Sequence, residues 1–247
     1  MKYTYIANWK MNLSFTESID FCTNNLDLLK TLSSTANIVI CPSFVALAPI
    51  AQVLKNTTIA LGAQDCSEHA TGSYTGEVSA QSLAETGATY SIVGHSERRM
   101  YHNEDTATLI KKIDLLYQNK ITPIICVGET KEDFLHKKTF DALTEQLELI
   151  LKTIAYHKHD HAIIAYEPFW AIGTGIVPDN VYLAEIFAWL EQFINAYIRD
   201  CTKQLLYGGS VNQKNIHQLK SIPKIDGFLI GGASTDLQEF YKIITTT

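Results

Sequence analysis

The sequence predicts a parallel α/β protein closed into a (β/α)8 barrel, one domain spanning residues 1–247. Three observations carry this. Eight short β-branched apolar runs alternate with stretches of helical periodicity. The runs are continuously apolar, as in strands buried on both faces. The length of 247 residues suits a barrel, which typically takes about 250 residues in a single domain. Periodicity alone also admits an open doubly wound sheet, and the count of eight favours closure. In a barrel, functional side chains gather just past the strands, at the C-terminal face. Polar residues there are therefore functional candidates, and those before strands are structural ones.

The first run, Thr4–Ala7, opens onto Asn8-Trp9-Lys10-Met11-Asn12, which places a cation, Lys10, at the mouth of the barrel. Phe15, Ile19, Cys22, Leu26 and Leu29 then step by four and three along one face of a helix, with Ser14 and Glu17 spaced as a capping box. The second and third runs are Asn37–Cys41 and Thr58–Ala63. After them comes a long loop, Cys66–Ser79, of the kind used for function or for an interface.

The fourth run, Thr89–Val93, leads into Gly94-His95-Ser96-Glu97-Arg98-Arg99. Ser96 is suited to cap a short helix, whose N-terminus disfavours an imidazolium at His95. A neutral imidazole can donate a hydrogen bond to a carbonyl and shuttle a proton. Glu97 and Arg98 read equally well as an interface pair or a structural ion pair. Asn103, Glu104 and Asp105 place capping and acidic residues at the start of a helix through Tyr117. The fifth run, Thr122–Val127, contains Cys126, read as a small buried residue beside the site because no motif histidine adjoins it.

His157, His159 and His161 precede the sixth run, Ala162–Tyr166, on the face away from chemistry, and read as an exposed loop rather than a metal site. Glu167 follows the sixth run directly, where a carboxylate is costly unless paired or used. Pro168 biases it towards an extended backbone. Phe169, Trp170, Ala171, Ile172, Gly173, Thr174, Gly175, Ile176 and Val177 combine an apolar tip with two glycines, the composition of a lid that excludes water. Pro178 and Asp179 mark the start of the next helix, with Ile186, Leu190, Phe193, Ile194 and Tyr197 on one face. The seventh run, Gln204–Tyr207, leads to Gly208-Gly209-Ser210, and the eighth, Gly227–Ile230, to Gly231-Gly232-Ala233-Ser234. Two glycine pairs on these two loops suit backbone N–H groups approaching an oxyanion.

The bulk numbers narrow the function further. A net charge of −6 disfavours nucleic acid and anionic membrane as partners, so an anion must be gripped by a few placed groups. Five cysteines, Cys22, Cys41, Cys66, Cys126 and Cys201, form no CxxC pair and favour a reducing compartment. The N-terminus carries no signal-peptide pattern and no run approaches the roughly 18 apolar residues of a membrane span, so a cytoplasmic location is expected.

The motifs Ala7-Asn8-Trp9-Lys10-Met11-Asn12, Gly62-Ala63-Gln64, Tyr74-Thr75-Gly76-Glu77, Val93 to Arg99, Tyr166-Glu167-Pro168, Trp170 to Gly175, Tyr207 to Val211 and Gly231 to Ser234 resemble the triosephosphate isomerase family from end to end. The resemblance implies a TIM barrel, a homodimer of glycolysis and gluconeogenesis, and no cofactor or metal. It implies interconversion of glyceraldehyde 3-phosphate and dihydroxyacetone phosphate through an enediolate. Glu167 is then the base, His95 the neutral electrophile, and Lys10, with Asn8, the group that binds substrate and stabilises negative charge. Gly173, Ser210, Gly231 and Gly232 hold the phosphate; Ser96, Glu97 and Cys126 support the site. Thr75 enters a partner subunit, and Glu77 pairs with the partner's Arg98. Three positions depart from the family's usual residues: Asp65, Phe169 and Ile176-Val177-Pro178.

Two other classes compete. A Schiff-base aldolase needs a lysine ending a central strand, and none stands there. A non-catalytic relative would have lost Lys10, His95 or Glu167, and all three are present.

Overall fold

The computed structural model describes residues 2–157, 161–172 and 177–246. Eight parallel strands pair in chain order and close on themselves: β1 (Thr4–Asn8), β2 (Asn37–Cys41), β3 (Ala60–Ala63), β4 (Tyr90–Val93), β5 (Thr122–Val127), β6 (His161–Tyr166), β7 (Thr202–Tyr207) and β8 (Gly227–Ile230). Closure is made by β1 against β8, with Thr4 opposite Gly227 and Ala7 opposite Ile230. The open-sheet alternative is thereby removed.

The continuous apolar runs have a direct physical origin. Alternate residues of each strand face opposite sides of the sheet. Ile6, Val39, Ile92, Ile124, Ile163, Leu206 and Leu229 fill the barrel interior. Tyr5, Ala7, Ile38, Ile40, Ile125 and Ile164 join the larger core beneath the helices. Both faces are dry, so no polar alternation survives in the sequence. Among the described residues, no helix is long and apolar enough to cross a membrane.

Element boundaries differ where polar groups intervene. β3 starts at Ala60 rather than Thr58, because Thr57 Oγ1 takes the Ile59 N–H at 3.2 Å and Thr58 Oγ1 turns to Ser33 at 2.8 Å. β4 starts one residue late, at Tyr90. β1, β6 and β7 extend into the polar residues Asn8, His161, Thr202 and Lys203, which an apolar run omits. His161 thus belongs to β6 itself.

The first helical pattern is two helices, Phe15–Asn24 and Leu26–Thr35. Asn25 leaves helical geometry at φ −119°, ψ 14°, and its side-chain amide donates to the Phe21 carbonyl at 2.8 Å. Phe15 lies exposed, because the buried positions of its helix are Ser18 and Cys22. The Ser14/Glu17 capping box forms as its spacing predicts. Of the three residues before the helix Thr106–Gln118, only Asp105 caps it, accepting from Thr108 N–H at 2.7 Å. Asn103 ends the preceding helix at φ 52°, and Glu104 turns inward to accept the Gly94 N–H. The helix Asn180–Tyr197 is capped by Asp179, with Pro178 just before it.

Candidate active site

Lys10 follows β1 with φ 52°, a left-handed backbone that carries a steric cost of about 1–2 kcal/mol for a side chain bearing Cβ. Three contacts hold it there. The Lys10 N–H donates to Asn8 Oδ1 at 3.3 Å, and Gln64 Nε2 donates to the Lys10 carbonyl at 2.9 Å and to the Cys41 carbonyl at 3.0 Å. The ammonium meets Glu97 Oε1 at 2.6 Å. Gln64 is therefore a support for the cation that the sequence showed only as part of a motif.

Gly94, at φ 70°, turns the chain out of β4. The short helix Ser96–His102 is capped by His95 rather than Ser96: His95 Nδ1 accepts the Glu97 N–H at 3.2 Å. Ser96 is the first helical residue, and its buried hydroxyl has no hydrogen-bond partner among the described residues. The cap fixes the imidazole. A nitrogen that accepts a backbone N–H carries no proton, so the ring hydrogen of a neutral His95 resides on Nε2. That atom is 3.3 Å from Glu167 Oε1.

Glu167 is 1% exposed. Its Oε2 accepts the Ser96 N–H at 3.1 Å, and the thiol of Cys126 is close enough to feel its charge. Burial, then the charge of Glu167, pushes that thiol well above the usual cysteine range, so it stays a protonated packing group. The backbone beneath Glu167 is held by its N–H to Val127 O at 2.8 Å. Gly208 is glycine for a specific reason: a Cβ there falls 2.8 Å from Glu167 Cγ.

Asn8, Lys10, His95, Glu167, Ile172, Ser210, Gly231 and Gly232 all line one cavity of about 240 Å³ at the C-terminal mouth of the barrel. Gly208, Gly209, Val211, Asn212, Leu229 and Ala233 complete its wall. The cavity thus joins a buried carboxylate, an imidazole N–H, an ammonium and two glycine loops, a set able to move a proton within a small anionic substrate. Glu97 stands behind Lys10, while Ser96 and Cys126 stand behind Glu167. Gly173, Thr174, Gly175 and Ile176 lie outside the described residues. Among the described residues, no group of three or more His, Cys, Asp or Glu is placed to hold a metal ion.

Pro168 leads into one tight turn, Phe169-Trp170-Ala171, and Val177 packs against the core on the far side. The turn is anchored by Glu129, a residue the sequence did not single out. Its fully buried carboxylate accepts from Trp170 Nε1 at 2.7 Å and from the hydroxyls of Tyr166 and Tyr182 at 3.0 Å. Phe134 stacks on Trp170 at 4.3 Å. Burial raises the Glu129 carboxyl above its usual range, against the pull of those donors. A raised folded-state value means the fold favours the protonated acid, so this group's contribution declines as pH rises through that window. Glu129→Gln keeps one acceptor and removes the charge. In urea melts, the stability of Glu129→Gln relative to the unsubstituted protein is expected to be greater at pH 7 than at pH 4.5; a reversed or flat difference refutes this account.

Thr75, Glu77 and Arg98 converge on a second cavity of about 360 Å³, between the loop after β3 and the helix after β4. Arg98 Nε is engaged within the chain, to Asp65 at 2.7 Å and Glu104 at 3.0 Å. Lys112 is buried beside them, bound to both Asp65 oxygens at 2.8 and 3.0 Å and to Glu104. The departure at Asp65 thus completes a set of two carboxylates and two cations.

The family model for triosephosphate isomerase matches residues 4–247. A triosephosphate isomerase from Psychromonas ingrahamii is 36% identical over 241 residues, covering 97% of this chain and 96% of that protein. One from Wolbachia pipientis wMel is 40% identical over 248 residues, covering 99% and 93%. The crystal structure of triosephosphate isomerase from Bartonella henselae aligns with a TM-score of 0.83 at 32% identity, covering 98% of each chain.

Proposed function

The chain belongs to the triosephosphate isomerase family and is an isomerase, and from that premise we propose which groups in its cavity do the chemistry. Glu167 removes the carbon-bound proton of glyceraldehyde 3-phosphate or dihydroxyacetone phosphate. His95 Nε2–H donates to the carbonyl oxygen as the enediolate forms, and the ring then moves a proton between the two oxygens. Glu167 returns its proton to the neighbouring carbon, so no redox partner is needed. Lys10 stabilises the developing negative charge, and Asn8 orients the substrate. Ser210, Gly231 and Gly232, with Gly173, hold the phosphate through backbone N–H groups. Phe169 to Ile172 form the near part of a lid running to Val177.

The observation that carries this reading is the 3.3 Å approach of His95 Nε2 to Glu167 Oε1, within a cavity that Lys10 also lines. A carbonyl and its neighbouring carbon placed there meet an acid and a base at once. The test is a coupled assay on glyceraldehyde 3-phosphate without added metal or cofactor. Turnover is expected, and a folded sample with none refutes the reading.

We further propose that residues 1–247 act as one domain in a cytoplasmic homodimer. Met11 (95% exposed), Phe44 (39%) and Tyr101 (75%) give an apolar lining to the groove that Lys10, His95 and Glu97 share. The loop bearing Thr75 is the element to fill a partner's groove, with Glu77 reaching the partner subunit's Arg98. Sedimentation velocity at micromolar concentration is expected to show two chains per particle; a single-chain species overturns the dimer.

A further inference from the structure

We propose that Gln146, which does not line the cavity, is a positioning residue for the base. Gln146 projects from the helix Thr139–His157, on the same side as Leu143, Leu147 and Ile150, which are buried against the barrel. Its amide clamps one residue twice: Nε2 donates to the Gly128 carbonyl at 2.7 Å, and Oε1 accepts the Gly128 N–H at 3.2 Å. Gly128 lies one residue past the end of β5, where the register with β6 stops at Val127 opposite Tyr166. The side chain therefore supplies the pairing that a neighbouring strand no longer gives, and buried backbone groups need such a partner.

Gly128 is also the surface on which Glu167 rests. A Cβ at Gly128 falls 1.7 Å from the Glu167 carbonyl oxygen, 2.7 Å from its carbonyl carbon and 2.9 Å from Phe169 Cε1. On either side of this contact, Glu167 N–H bonds to Val127 O at 2.8 Å and Phe169 N–H to Glu129 O at 3.2 Å. The backbone Glu167–Phe169 is thus laid along Val127–Glu129, and the middle of that support is fixed by one amide. Gln146 is absent from the cavity lining. Its influence on chemistry must pass through Gly128 to Glu167.

This inference rests on Glu167 being the base. Gln146→Met removes both hydrogen bonds while keeping volume and helix propensity, and Gln146→Ala serves beside it should Met fail to fold. The expected result is a kcat lower by about tenfold, a KM within about twofold, and a larger primary isotope effect with substrate deuterated at the reacting carbon, since a displaced base slows proton abstraction. Glu167→Asp is measured in parallel. If Glu167→Asp turns over normally, the base assignment itself fails. If Glu167→Asp is crippled while the Gln146 variants stay within twofold of normal kcat, or lose kcat with no change in isotope effect, the positioning role alone is overturned.

Discussion

Glu167→Asp is expected to lower kcat by a factor on the order of 10², with little change in KM. The substitution keeps the charge and shortens the side chain, drawing the carboxylate back by about 1 Å. In the native geometry that carboxylate is positioned by two groups: Ser96 N–H at 3.1 Å and His95 Nε2 at 3.3 Å. A retracted aspartate loses reach towards the substrate carbon, while Lys10 and the glycine loops proposed to bind substrate are untouched. The loss therefore falls on the chemical step. The coupled assay decides it, and near-normal turnover removes Glu167 from the role of base.

The largest effect on stability is expected from Lys112→Met, at about 3–5 kcal/mol. Lys112 is 4% exposed and binds both Asp65 and Glu104, neither of which is more than 8% exposed. Removing the ammonium leaves two buried carboxylates facing each other with Arg98 as their remaining cation. Burial alone lowers the Lys112 value, but Asp65 and Glu104 outweigh it and hold the ammonium above its ordinary 10.5. A raised lysine stabilises the fold fully below its unfolded value, and that contribution is lost as pH climbs through the folded one. The gap between Lys112→Met and the unsubstituted protein should accordingly be full at pH 7 and shrink above about pH 10.5. Urea denaturation at both pH values tests it; a gap under about 1 kcal/mol at pH 7 contradicts the account.

The barrel was legible because each of its strands is dry on both sides, which writes an unbroken apolar run into the chain. Lys10, His95 and Glu167 were legible as candidates because each stands one to three residues past such a run. The sequence was less informative wherever a side chain finds its partner far away. Nothing local marks Glu129, whose donors Trp170 and Tyr182 come from 41 and 53 residues later in the chain. Gln146 looks like any polar residue of an amphipathic helix until Gly128 is seen against it. Asp65 stands out in the sequence only as a departure from the family's usual residue, yet 47 residues on stands the lysine that neutralises it. The helix break at Asn25 escaped because the apolar spacing runs through it while the Asn25 amide captures a backbone carbonyl. Ser96 was taken for a cap by residue type, whereas the imidazole of His95 fills that place and so fixes its own tautomer.

The left-handed backbone at Lys10 has a consequence for how this sequence can change. Glycine adopts φ 52° freely, so it would relieve the local strain and discard the ammonium together. With the role proposed above for Lys10, a glycine that relieves this strain would also cost turnover, and its gain in stability is set against the lost Glu97 ion pair and the freer unfolded chain. On that proposed role, position 10 is where selection for durability and selection for turnover pull in opposite directions.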